Sequence, residues 1–186
     1  MNAFRIPAIL EFEACLLMTM KLRVKMSHKE AELEAKLAEH GLSVDEAQRV
    51  HDRLALILGG EASYFQNTKK LMGADPAATS LEYTSVLWPG FYFKAIASED
   101  GPLESARYWH NSRELADVES PIGLPIWSMD VTEFAERFGP MNGGRKWSLF
   151  DELLPAYEEY EFQWGEDSYG AGFSWGLFMF SAMSWD

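Results

Sequence analysis

Leu10-Glu11-Phe12-Glu13-Ala14-Cys15-Leu16-Leu17-Met18-Thr19-Met20-Lys21-Leu22-Arg23-Val24-Lys25-Met26 is the stretch on which the reading of the fold turns. Every even position is apolar, while the odd positions include Glu11, Glu13, Thr19, Lys21, Arg23 and Lys25. Period two puts alternate side chains on opposite faces of a strand, whereas a helical wheel scatters these charges around the axis. The spacing predicts a β-strand centred on 16–26. Seventeen residues at strand rise reach about 55 Å, so a bend or break near Ala14 is expected.

Beyond Met26 the chain reads as helix. Ser27 stands three residues before Glu30 and Ser43 three before Glu46, the pattern of a capping box. Helices are expected over about 28–40, 44–58 and 61–72, stopping at Gly41, Gly59-Gly60 and Gly73. Two β-rich runs, 81–88 and 91–98, flank Pro89-Gly90 and read as a hairpin. Residues 102–117 read as a helix with Pro102 in its first turn. Asp130 and Glu133 cap a short helix ending near Gly139, and 148–154 reads as another. Tyr160, Phe162 and Trp164 alternate with Glu159, Glu161 and Gln163, as on a strand. After a loop over 165–172, residues 173–185 are apolar on both faces, as in a strand covered on both sides. The expected fold is α+β: about five strands in one antiparallel or mixed sheet, with helices inserted mainly between the first and second strands.

Composition narrows the function classes. The chain has 186 residues and a net charge of −13, enough for one domain with a core that needs no disulfides. The expected organisation is a single domain over 1–186, with a neutral helical part at about 1–72 and an acidic, aromatic, β-rich part at about 73–186. Residues 1–70 hold 10 basic and 10 acidic side chains, so the whole excess lies beyond them. That excess argues against direct binding to nucleic acid or to an anionic membrane. Ser168–Trp185 carries no charge, yet it is short and Gly- and Ser-rich for a membrane helix, and a buried strand reads better. A single cysteine, Cys15, excludes an internal disulfide and a cysteine metal cluster. No cofactor or metal motif stands in the sequence, and the chain reads as a cytoplasmic protein.

Two sets of residues carry chemistry. On the expected helix, Arg107, His110 and Glu114 fall on one face, where an arginine, a histidine and a carboxylate could perform acid–base work; a surface ion-pair ladder uses the same residues. The second set is the acidic tract Asp151, Glu152, Glu158, Glu159, Glu161, Glu166 and Asp167, with Trp164 among them. It suits docking on a basic protein or nucleoprotein, with carboxylates steering and the aromatic anchoring. It equally suits an ordinary solvated face, or one paired within the chain to Lys21, Arg23 and Lys25. Gly172-Phe173-Ser174-Trp175-Gly176 has the form of a nucleophile elbow, but no histidine follows it. The favoured reading is a non-enzymatic acidic binding protein, of the immunity, inhibitor or anti-defence type, which includes mimics of nucleic-acid charge. The alternatives are a small hydrolase with a Trp- and carboxylate-lined pocket for a sugar or other polar molecule, and an assembly subunit.

Overall fold

The computed structural model describes residues 6–111 and 118–183. Five helices come first: α1 (Ile6–Thr19), α2 (Lys21–Met26), α3 (Glu30–Ala38), α4 (Val44–Leu58) and α5 (Tyr64–Met72). A three-stranded antiparallel sheet comes next, formed by β1 (Ser80–Thr84), β2 (Phe91–Ala97) and β3 (Leu103–His110) in that order. After helix α6 (Val131–Phe138), β4 (Asn142–Lys146), β5 (Tyr157–Trp164), β6 (Asp167–Ser174) and β7 (Leu177–Met183) form a four-stranded antiparallel meander. The α+β class holds, but the single five-stranded sheet is corrected to two sheets. Five helices precede the strands instead of separating the first two.

The stretch expected to be the first strand is helical. Its alternation misled because α1 is covered almost all round: Phe12, Glu13, Ala14, Cys15, Leu16, Leu17 and Met18 are all buried. A helix buried on every side needs no polar face, so its residue order carries no helical period. Phe12 meets Tyr83 and Phe93 of the three-stranded sheet edge-on, at 6.3 and 5.7 Å between ring centroids. Burying each of Phe12, Leu16 and Leu17 contributes about 1.5–3 kcal/mol.

Capping separates true helix starts from false ones. The Ser43–Glu46 box forms, as does the Asp130–Glu133 box, each with reciprocal hydrogen bonds. The Ser27–Glu30 box does not, because Lys29 occupies the N-cap position of α3 without a side-chain bond. Residues 148–154 make turns, not a helix: Ser148 Oγ accepts from Phe150 N–H, and Asp151 Oδ1 from Leu153 and Leu154. Within 102–117, residues 103–110 are strand β3; residues 112–117 lie outside the described residues.

The C-terminal meander also departs from expectation. The supposed loop at 165–172 is mostly β6, since only Gly165-Glu166 turns between Trp164 and its partner Asp167. The supposed long strand is broken at Trp175-Gly176, where both φ angles are positive, 51° and 79°. Two such residues are what a type I′ hairpin turn requires. This turn joins the two sheets. Trp175 O accepts from Tyr108 N–H at 2.8 Å, Gly176 O from Val131 N–H at 3.0 Å, and Trp175 Nε1 donates to Thr19 Oγ1 at 3.0 Å. The larger buried cluster runs from α1 through the three-stranded sheet to Trp175, Leu177 and Met179. A second cluster seals α6 on the four-stranded sheet, where Phe134 packs against Phe162, Phe173 and Phe178. Among the described residues no helix is long and apolar enough to cross a membrane.

Candidate functional site

The acid–base cluster expected at 107–114 does not assemble in that form. On a strand, Arg107 and His110 are three apart and point to opposite faces; Glu114 lies outside the described residues. His110 instead finds a different carboxylate. Its Nδ1 lies 2.8 Å from Glu133 Oε2, its backbone N–H donates to Asp130 Oδ2 at 2.8 Å, and its ring stacks on Phe91 at 4.6 Å. Asp130 and Glu133 also complete the capping box of α6, so one network locks that helix to the end of β3. A buried carboxylate on Nδ1 fixes the ring and leaves Nε2 as the second polar atom, an arrangement that can position a base. The clefts that hold the β5 carboxylates Glu158, Glu159 and Glu161 do not include His110.

Arg107 turns to the other side. Its guanidinium lies 3.8 Å over the Trp109 ring and donates to Thr132 Oγ1 at 3.1 Å. Burial lowers its pKa, opposed by the nearby charges of Asp130 and Glu158. It shares a cleft of about 350 Å³ with Glu104, Lys146 and Glu158, where the two sheets meet.

The acidic tract divides into three groups. Asp151 and Glu152 line a cleft with Lys21, Lys25 and His51. Glu158 faces Lys146 at 3.9 Å, and Glu159 lies 3.7 Å from Arg23 and accepts from Tyr157 Oη at 3.0 Å. β4 sets its own cations opposite this row, with Arg145 paired to Glu159 and Lys146 to Glu158 in register. Pairing within the chain therefore engages Arg23. Glu161, Glu166 and Asp167 are exposed and have no ion-pair partner among the described residues; Glu166 and Asp167 stand at the turn of the β5–β6 hairpin, whereas Glu161 lies opposite Gly170 in a cleft with Arg23 and Arg145. Trp164, the cross-strand partner of Asp167, stands beside it, half-buried and edge-on to Phe138 at 5.5 Å, while Glu161 points to the other face.

The GxSxG form is a hairpin turn, and Ser174 is buried at the end of β6. It lacks the strand-to-helix elbow that would lift a hydroxyl above a sheet. Cys15 is buried, and burial pushes its thiol up to about 12. Among the described residues no three His, Cys, Asp or Glu side chains come together as a metal site.

Two features escape a reading of the sequence. Glu13, on α1, is fully buried and accepts four hydrogen bonds: from Ser85 Oγ and Tyr108 Oη at 2.6 Å each, from Val86 N–H at 2.6 Å, and from Leu87 N–H at 3.1 Å. Burial raises its pKa, and the four donors pull the other way. Val86 and Leu87 turn their N–H groups to this carboxylate, and β1 ends at Thr84. Ser85 Oγ also accepts from Trp88 N–H at 2.9 Å, so the network sets the position of Trp88. A carboxylate flanked by Phe12 and Ala14 was the available signal, but alternation grouped it with Glu11, Lys21, Arg23 and Lys25 on one strand face. The second feature is a large cleft, about 570 Å³, between α3, the β1–β2 connection and residues 123–127. Its residues are far apart in sequence, and no local pattern announces it. Comparison with known proteins finds no matching family model, curated protein or solved structure.

Proposed function

We propose that this chain is a non-enzymatic binding protein that docks on a basic surface of a partner protein or nucleoprotein. The observation that carries the reading is the exposed end of the β5–β6 hairpin. Glu166 and Asp167 at its turn, and Glu161 further along β5, have no cation within ion-pair distance among the described residues, in a chain whose net charge is −13. Unpaired carboxylates on a rigid strand pair cost little to desolvate at a rim and accelerate encounter with a positive surface. Trp164, beside its cross-strand partner Asp167, offers the aromatic contact that such interfaces favour. Glu158, Glu159, Asp151 and Glu152 have cations of this chain nearby and contribute to the field more than to the contact. The finer reading is an inhibitor of the immunity or anti-defence kind, working in the cytoplasm by presenting a row of negative charge where the partner expects nucleic acid.

The test compares two variants of equal charge change. One carries Glu161→Lys, Glu166→Lys and Asp167→Lys; the other carries Glu34→Lys, Glu61→Lys and Glu82→Lys at exposed positions elsewhere. Each is immobilised, loaded with a soluble extract of the source cells at low salt, and eluted by a salt gradient. The expected result is a basic protein retained by the wild type and by the second variant, and lost from the first. Equal retention by both variants refutes the docking end, and equal loss from both leaves only a non-specific charge effect, which also refutes it.

A further inference from the structure

The cleft between α2 and the turns at residues 151–155 has two banks of opposite charge. It holds about 500 Å³. Lys21, Leu22 and Lys25 of α2 form one bank, and Asp151, Glu152 and Leu153 form the other. Among the described residues no ion pair joins the two banks. His51 also lines the cleft, but its Nδ1 lies 3.1 Å from Asp52 Oδ1, so any charge it takes up is met within α4. Two cations and two anions leave this face neutral in a chain of net charge −13. Large apolar side chains stand open to solvent on both banks: Leu22 is 41% exposed and Leu153 70%. Met26, one turn beyond Leu22 on α2, is also exposed. Leu153 is presented by a fixed turn, because Asp151 Oδ1 accepts from the Leu153 and Leu154 N–H groups at 3.0 and 2.8 Å. Exposed apolar side chains scattered singly are ordinary, whereas a cluster rimmed by charge marks an interaction surface.

We propose that this face is an isologous interface between two copies of the chain. A two-fold axis running along the cleft lays the Lys21 and Lys25 bank of each copy over the Asp151 and Glu152 bank of the other. The same operation sets Leu22 of each copy against Leu153 of the other and takes both out of water. A partner of one charge sign would satisfy one bank and oppose the other, whereas a second copy satisfies both. Over most of the acidic half a second copy meets like charge; on this neutral face it does not. The patch is small, so an association in the micromolar range is expected. It uses different elements from the β5–β6 turn, so it stands or falls separately from the docking surface.

Sedimentation equilibrium of the full chain reads the mass. The expected result is a rise from the chain mass of 21.1 kDa to twice that value across the micromolar range. Leu153→Asp, at an exposed position, is expected to weaken the association at least about a hundredfold, because each substitution acts twice in an isologous pair. Two charge variants separate self-complementarity from general stickiness. One carries Lys21→Glu and Lys25→Glu. The other carries Glu152→Lys and Asp151→Asn, which keeps the Oδ1 acceptor of the turn. Each alone is expected to stay monomeric, and an equimolar mixture to regain the dimer, since only the mixed pair sets unlike charges opposite one another. Overturning results are a wild type that stays at the chain mass up to millimolar concentration, a dimer indifferent to Leu153→Asp, charge variants that dimerise alone, or charge variants that remain monomeric when mixed. A monomeric wild type that binds a different protein through this face also overturns the second copy as its occupant.

Discussion

Replacing Glu13 by Ala tests the link between the first helix and the β1–β2 connection. The substitution removes the acceptor of four hydrogen bonds, two from backbone N–H groups and two from hydroxyls, at a site with no exposure to solvent. Each orphaned donor costs about 1–3 kcal/mol if left dry, but the donors share one cavity and water entering it recovers part of that cost. With that recovery the four donors together are expected to cost about 4 kcal/mol. Against a total stability of about 5–15 kcal/mol, a loss near 4 kcal/mol is a large fraction. For a chain of this length it lowers Tm by about 8–16 °C. Urea unfolding followed by tryptophan fluorescence reads the loss. A Glu13→Ala variant within about 1 kcal/mol of wild type would show that the four bonds form without net stabilisation, and the reasoning would fail. The acid's titration gives a second check with Glu13→Gln. Because burial raises the folded pKa above the ordinary 4.5, the neutral form is the one folding favours. The stability linked to it is complete below the unfolded pKa and is lost as pH rises through the raised folded value. Gln cannot titrate, so the wild type's advantage over Glu13→Gln is expected to shrink from acid to neutral pH. An advantage that grows with pH would mean that the four donors, not burial, govern the charge.

Gly172 has no room for a side chain: a Cβ there would overlap Tyr157 Oη and the Phe180 ring. Gly172→Ala is expected to lose about 1–3 kcal/mol by overpacking, seen as a lower urea midpoint at unchanged slope; an unaltered midpoint would mean the rings step aside freely. Cys15, buried and pushed up to about 12, is expected to resist a thiolate-specific reagent at about pH 8 and to react fully in urea. Rapid labelling of the native protein would show that α1 opens on its own. Arg23 lies 3.9 Å over the Phe180 ring and 5.3 Å from that of Tyr157, so Arg23→Ala is expected to cost about 1 kcal/mol and to strengthen capture of a basic partner by freeing Glu159. Weaker capture by that variant would show that Arg23 orders the acidic face instead of masking it.

Two of the three expected capping boxes were legible in the sequence, the Ser27–Glu30 box was not, and non-local features were not. The capping boxes at Ser43 and Asp130 announce α4 and α6, because a cap is decided within one turn. The first hairpin was readable from Pro89-Gly90 and its flanking β-formers, although Glu13 draws residues 86–87 out of the sheet. The strand β3 was not readable. Leu103–His110 has helix-tolerant composition, and its pairing with β2 across seven register positions overrides that preference. Nor was α1, since a helix surrounded by protein shows no polar stripe. At the candidate sites, the partners of His110 and Glu159 come from 23 residues downstream and from the opposite end of the chain, beyond any motif.

The division of charge along the chain has a structural meaning that the sequence alone leaves open between surface and pairing. The basic residues of the neutral half do not stay with it: Arg23 lies against Glu159, Lys29 reaches Met179 O, and Lys21 and Lys25 border Asp151 and Glu152. These contacts tie α2 and the start of α3 to the last sheet, and they draw cation toward the near part of β5. What they do not reach is the turn of the β5–β6 hairpin, where Glu166 and Asp167 lie past the last cation of β4; Glu161, opposite Asn142, shares a cleft with Arg23 and Arg145 without an ion pair. An exposed ion pair is worth little to stability, so pairing at Glu158 and Glu159 does more to shape the field than to hold the fold. The proposed docking surface is accordingly set at the turn of one hairpin and is smaller and more directional than a uniform acidic face would be.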